Sequence, residues 1–266
     1  MPSVLSALPT LDLALWAATT LVTVVLLCLI LARRLDQKFP FLTAYLGVNL
    51  LQTLAQVVVY EIYGIRSNVT YAAVWGSQAV VILARAFATG EFCYALLGRY
   101  LGVWALAKRI LLGSSAIVLG LGIYFGKSGF RYGVMTLEIA SEAFIATLVV
   151  GTFLFARYYQ AEMQRNLVLL GLGLGLNSCV KILNDAVLTR YFKGYDGMWN
   201  EVAMTTFAVV LLLWILAMRA TSTVPVPKPE LASADVYRTL APQMNRRLLE
   251  LNEYLIQLWK LEQPKP

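Results

Sequence analysis

Seven runs of about 20 apolar residues set the terms on which this chain can fold: about 11–32, 41–60, 72–97, 105–125, 134–156, 167–189 and 200–218. A helix rising 1.5 Å per residue needs about that length to cross a hydrocarbon layer about 30 Å thick. No water enters such a layer, so backbone N–H and C=O groups must be satisfied by a helix or by a closed barrel. Barrel strands read as ~10-residue segments of alternating polarity, which continuous apolar runs do not match. Composition agrees, with 59% of residues hydrophobic and 14% charged; soluble domains sit near 45–50% and about 25%. The expected fold is all-α, a seven-transmembrane-helix bundle over residues 1–219 with a tail behind it.

The net charge of +7 lies mostly in the short loops, so it gives no nucleic-acid signature. Alternate loops place Arg33, Arg34, Lys38, Arg99, Lys108, Arg109, Arg157, Arg165 and Arg219 on one side. Arg66, Lys127, Arg131, Arg190 and Lys193 fall on the other. The richer side is expected in the cytoplasm, which puts the amino terminus outside and the carboxyl terminus inside, in a bacterial inner membrane. The first run lacks a basic segment before it and is long for a signal peptide, so it reads as a retained helix.

Residues 220–232 carry Pro225, Pro227 and Pro229, an extended semi-rigid linker. In residues 233–266, Ser233 and Pro242 suit helix starts. Met244, Leu248, Leu251, Leu255 and Leu258 then repeat with heptad spacing. This cytoplasmic amphipathic helix is expected to need a partner: a second copy in a homo-oligomer, another protein of a membrane complex, or the bilayer surface.

Polar groups inside the runs carry the rest of the signal. Asn177, Lys181, Asn184 and Asp185 share one face of the sixth run, and Glu138 and Glu142 share one face of the fifth. A lysine at a helix centre costs about 2.5–3.5 kcal/mol on insertion scales, so it faces protein or trapped water. Counted from the outer ends, Glu142, Lys181 and Gln52 lie about eight residues deep, and Glu138, Asp185 and Gln56 about four, at 1.5 Å per residue. Matched depth predicts a direct Glu142–Lys181 pair, extended by Arg85 and Asp185. Arg85, Glu142, Lys181 and Asp185 sum to zero, which offsets the cost of burying them.

Other polar positions read as structural. Asn49, Gln52, Thr53 and Gln56 make a stripe suited to helix packing, and Glu91 is expected to pair with a loop arginine such as Arg99. Gly171-Leu172-Gly173-Leu174-Gly175 lies in an apolar helix, so close helix packing is expected rather than a dinucleotide loop. Cys28, Cys93 and Cys179 all fall within runs and read as small core residues. The Asn68-Val69-Thr70 triplet matches a glycosylation acceptor but sits almost against the membrane.

The chain has no histidine, so haem with histidine ligation, histidine metal sites and Ser-His-Asp catalysis are excluded, and no cofactor or metal is implied. Retinal proteins carry their Schiff-base lysine on the seventh helix, whereas Lys181 is on the sixth.

The Arg34…Phe39-Pro40-Phe41…Tyr45 approach to the second helix resembles that of a group of seven-helix bacterial membrane proteins of the acidobacterial kind. The resemblance covers the first hundred residues and implies no activity. The architecture also resembles the seven-helix sensor halves of bacterial receptor kinases, though no kinase or cyclase domain follows here. The function expected is that of a non-enzymatic sensor or scaffold. An outward-facing polar pocket (Arg85, Glu138, Glu142, Lys181, Asp185, Asn177, Gln52 and Gln56) would be its input and the tail helix its coupling element. The alternative is a small transporter or proton-coupled permease that uses the same charges.

Overall fold

A computed structural model describes residues 10–64, 67–98, 101–127, 129–158, 163–184, 196–220 and 244–261. Among them are eight α-helices and no strand: α1 (Thr10–Ala32), α2 (Pro40–Tyr63), α3 (Asn68–Leu97), α4 (Leu101–Gly126), α5 (Phe130–Tyr158), α6 (Arg165–Ile182), α7 (Asp196–Ala220) and α8 (Met244–Leu261). Six of them, α1 to α5 and α7, are long and apolar enough to cross a membrane. The protein is therefore described as an integral membrane protein. The proline-rich linker, Ser233, Pro242, Asp185, Arg66, Arg99, Arg190 and Lys193 lie outside the described residues.

The sixth apolar run, expected over about 167–189, is described only as far as residue 184, and it is not among those six. Its described helix, α6, is 18 residues long and passes into a π turn at Leu183–Asn184. Asn177, Ser178 and Lys181 lower its hydropathy, and α3, α5 and α7 pack around it. A helix walled by other helices does not need an apolar surface all round.

Neighbour packing traces a ring, α1–α2–α3–α5–α6–α7, closed by α7 against α1. α4 stands outside it, packed mainly on α5 and on α8 and only lightly on α3. The outer faces carry exposed large apolar side chains such as Leu51, Ile62, Phe87, Ile117, Leu154 and Leu212, as a lipid-facing surface requires. Cys93 is buried, whereas Cys28 and Cys179 are exposed, so only one of the three cysteines is a core residue.

The apolar core is densest where α1, α2 and α7 meet, around Leu26, Ile30, Tyr45, Leu46, Leu211 and Trp214. Tyr45 and Trp214 meet edge to face, centroids 6.1 Å apart, and the Trp214 indole N–H donates to the Leu170 carbonyl at 3.2 Å. The α6 glycines make room for such rings. A Cβ on Gly171 would lie 2.6 Å from Phe92 and Phe153, and one on Gly173 would collide with Trp214. These glycines pack helices, as expected.

Several helix ends on the side where α7 finishes are capped by side chains from elsewhere in the chain. α2 starts with Pro40 in its first turn and has no side-chain cap of its own. The Glu91 carboxylate, from α3, accepts the N–H groups of Phe41 (3.2 Å) and Leu42 (2.9 Å). A carboxylate there satisfies two orphan donors and opposes the positive end of the helix dipole. Sequence alone did not point to these backbone partners; the Arg99 expected beside Glu91 lies outside the described residues. Arg33, past the end of α1, donates to the carbonyls of Met218 (2.5 Å) and Arg219 (2.9 Å), at the negative end of α7. The N–H of Gly102, in the first turn of α4, donates to Asn252 Oδ1 of the tail helix at 2.6 Å.

On the opposite side Ser67 caps α3 by accepting the Val69 N–H at 3.2 Å. The buried Thr70 hydroxyl donates to the Gly64 carbonyl at 2.7 Å, so the threonine of the Asn68-Val69-Thr70 triplet is taken up in closing the α2–α3 turn.

The tail helix has a partner within its own chain. α8 lies against the start of α4, with Leu248 fully buried and Leu251 and Leu255 half-buried. Of Met244 and Leu258 only the helical backbone is described. The apolar seam is thus met in part by α4, an occupant that its heptad spacing could not specify.

Candidate functional site

Spacing along three central helices brings the ionisable groups together. On α5, Glu138 and Glu142 are one turn apart and point the same way. On α3, Gln78 and Arg85 are two turns apart and face them. On α6, Asn177, Ser178 and Lys181 complete the wall, and Gln52 of α2 reaches in from the fourth side.

The bonds form one connected system. Gln52 Nε2 donates to Gln78 Oε1 at 2.9 Å, and Gln78 Nε2 donates to Glu138 Oε1 at 2.7 Å. Lys181 Nζ donates to the same Glu138 oxygen at 2.5 Å and stands 3.9 Å from Glu142 Oε1. Glu142 is paired directly with Arg85 and accepts the Ser178 hydroxyl at 2.6 Å. The Arg85 guanidinium also lies 5.5 Å from the centroid of the Tyr45 ring, a cation–π distance. Two cations and two carboxylates sum to zero, so the cluster carries its own counter-charges.

The expected Glu142–Lys181 pair is present at 3.9 Å, but each group has a closer partner. The closest partner of Lys181 is Glu138, one turn nearer the end of α5 from which the chain enters, and the closest partner of Glu142 is Arg85. The four-carbon lysine stem lets its ammonium settle a turn away from its own Cα depth. Arg85 approaches from the middle of α3 and fills the position beside Glu142.

Burial divides the cluster. The Arg85 and Glu142 side chains are 4% and 1% exposed, while that of Lys181 is 27% exposed. The open side of Lys181 faces a cavity of about 270 Å³ between α1, α2, α6 and α7. Thr20, Thr23, Asn49, Thr53 and Gln56 give this cavity polar walls, Phe207 and Trp16 supply apolar ones, and Lys181 is its only charged lining residue among the described residues. Gln56 therefore lines the cavity and is not bonded to Arg85, Glu138, Glu142 or Lys181. Asn177 is buried one turn before Lys181, and Asp185 lies outside the described residues. Among the described residues no cluster of three His, Cys, Asp or Glu is arranged to hold a metal.

Three contributors were not singled out from the sequence. Ser178 holds Glu142, Tyr45 stacks on Arg85, and the α1 threonines line the cavity. Thr19, Thr20 and Thr23 donate their hydroxyls to the Trp16 and Thr19 carbonyls of their own helix, so their oxygens remain acceptors toward the cavity. A polar residue at Gln78, seven before Arg85 on the same face, was the available signal for its membership.

Comparison with known protein families, with curated proteins and with solved structures finds no match. The chemistry of the site rests on its own residues.

Proposed function

We propose that this chain is a seven-helix sensor or scaffold protein of a bacterial cytoplasmic membrane, with its amino terminus outside and its tail in the cytoplasm. It binds a small polar or zwitterionic solute in the cavity beside Lys181 and couples occupancy to the tail helix. Loop charge supports the orientation, and the protein wall around α6 supports counting it as a seventh span.

One observation carries the reading: Lys181 belongs both to the charge cluster and to the cavity wall. A solute carboxylate entering the cavity competes with Glu138 for the ammonium. Any ligand shifts an equilibrium only through contacts that differ between two states, and exchange of the Lys181 partner is such a contact. The carboxylate released from Lys181 sits on α5, α5 packs on α4, and α4 carries the tail helix.

Two measurements test this. The purified protein, titrated with a panel of amino acids, is expected to show saturable thermal stabilisation by a subset of them, abolished in Lys181→Gln. A reporter active only in the cytoplasm should work when fused after Lys38 or Arg219 and stay silent after Arg66 or Lys193; activity after Arg66 overturns the orientation.

The second reading, a proton-coupled permease, is favoured by the π turn that begins two residues after Lys181, because transport sites often use interrupted helices and π turns recur at functional sites. Dye-loaded proteoliposomes separate the two. Acidification lost in Glu138→Gln supports transport, and tight vesicles together with saturable binding support the sensor.

A further inference from the structure

Outside the ring, the light contact between α3 and α4 leaves a long groove of about 1200 Å³, floored by α5 and open toward the lipid-facing surface. Its chemistry is graded along its length. Along α4 it runs from Trp104 and Lys108 to Ser115 and Leu119. The distance from Lys108 to Leu119 is about 16 Å at 1.5 Å per residue, close to the depth of one leaflet of a hydrocarbon core about 30 Å thick. Phe87, Ile82, Phe144 and Leu148 line its deeper part, while Gln37, Lys38, Lys108 and Gln164 gather at the tail-side mouth. Tyr94 and Trp104 stand at the same end, edge to face with centroids 5.0 Å apart, an aromatic pair of the kind found at headgroup level.

We propose that this groove is a binding site for one anionic phospholipid drawn from the tail-side leaflet, its acyl chains along α3, α4 and α5 and its headgroup between Lys38 and Lys108. The inference rests on the six helices crossing a bilayer, and it does not depend on the solute cavity or on which way the protein is inserted.

Charge supports an anionic headgroup. Both lysines are exposed at the mouth. Among the described residues, the one carboxylate lining that end, Glu91, is held by the Phe41 and Leu42 N–H groups of the α2 first turn. The positive end of that helix offsets the Glu91 charge, which leaves the two ammonium groups to set the sign at the mouth. Size and polarity argue against a small polar metabolite: the groove exceeds the usual range of about 300–1,000 Å³ for small-molecule sites, and its deep end is apolar. Ordinary annular lipid would fill the groove without regard to headgroup, so selectivity is the property to measure.

Trp104 provides the probe. Full-length protein is reconstituted in phosphatidylcholine vesicles containing a minor fraction of brominated-chain lipid, as either phosphatidylglycerol or phosphatidylcholine. The Trp104 signal is isolated by difference from Trp104→Phe. Quenching by the phosphatidylglycerol is expected to exceed that by the phosphatidylcholine, with a relative affinity of about fivefold for each lysine, the factor a surface lysine typically brings to anionic lipid. Lys38→Gln/Lys108→Gln, at exposed positions, should reduce the ratio to one with total quenching retained. Gly90→Leu puts a side chain into the groove at a position where a Cβ meets no atom within 4 Å, and it should lower quenching by both lipids. Equal quenching by the two lipids in the wild type overturns the proposal in favour of annular lipid, and so does a preference that survives the lysine substitutions.

Discussion

Lys181 and Glu138 meet through a single oxygen, with the ammonium 2.5 Å from Glu138 Oε1, and that same oxygen accepts the Gln78 amide at 2.7 Å. Glu138 thus links the enclosed charges, through Lys181, to the polar cavity. Glu142, enclosed by Arg85 and Ser178, has no such exposure.

The difference in burial predicts unequal costs. Arg85→Met strands Glu142 in an enclosed site, and breaking a buried pair typically costs about 3–5 kcal/mol. Adding Glu142→Gln should recover part of that loss, because both charges are then gone. Lys181→Met should cost less, since its head opens onto the cavity and its loss can be met by water. Unfolding of the single and double variants in detergent measures each coupling. A larger coupling for Lys181 with Glu142 than with Glu138 contradicts the arrangement described here.

Glu91 offers a cleaner test, because its partners are backbone groups. Glu91→Ala leaves the exposed Phe41 N–H and the part-buried Leu42 N–H without their acceptor, at a cost below the ~1–3 kcal/mol of a fully buried donor left unmade. Glu91→Gln keeps an acceptor oxygen and should restore much of that. Hydrogen exchange at Phe41 and Leu42 reads the effect locally: fast in the alanine variant, slower in the glutamine. If Arg99 were the true partner, the two amides would not respond.

These contacts mark how far the sequence could be read. The helices were legible because apolar length is a property of each segment alone: the runs near 11–32 and 72–97 became α1 and α3 with ends shifted by a few residues. The gathering of Arg85, Glu138, Glu142 and Lys181 was legible too, since intramembrane charges must face inward and find one another. Which carboxylate takes which cation was not, because equal depth of Cα atoms does not fix where a flexible lysine head comes to rest. The backbone partners of Glu91 were missed for a related reason: a loop arginine is visible in sequence, while helix N–H groups presented by another element are not. The tail seam announced an apolar partner without naming it, and α4 shows no matching pattern beyond Gly102 and the residues after it.

The glycines of α6 give a graded prediction. Gly173→Ala drives a methyl into Trp214 and Gly171→Ala drives one into Phe92 and Phe153; overpacking of this kind typically costs about 1–3 kcal/mol. Gly175→Ala meets Val149 Cγ1 at 3.3 Å and should cost less. Gly47→Ala and Gly151→Ala meet nothing within 4 Å, and should be neutral or stabilising by up to about 1 kcal/mol through lower freedom in the unfolded chain. Thermal unfolding of the five variants in one detergent ranks them. A flat series would mean that the rings around α6 yield freely.

The last prediction concerns the tail. Gly102 lies where a side chain has no room: a Cβ there would sit 2.7 Å from the Asn252 carbonyl oxygen, 2.8 Å from Asn252 Oδ1 and 3.1 Å from Leu255 Cβ. The first two contacts are with Asn252, whose Oδ1 caps α4, so Gly102→Ala must push α8 outward and lengthen the capping bond. Asn252→Ala removes the same bond without adding bulk, at about 0.5–2 kcal/mol for a lost helix cap. Both should raise hydrogen exchange across residues 248–257 while leaving the charge cluster intact, and Gly102→Ala should have the larger effect because it also displaces Leu255. Leu251→Asp with Leu255→Asp tests the apolar half of the contact, since burying either carboxylate is strongly disfavoured. Protection lost in all three variants, with the unfolding temperature of the bundle nearly unchanged, identifies α8 as a separable element held on α4 by a polar clasp and an apolar seam. Protection unchanged in Gly102→Ala would show that the tail does not rest on α4 in the membrane-embedded protein, and its seam would then be free for another partner.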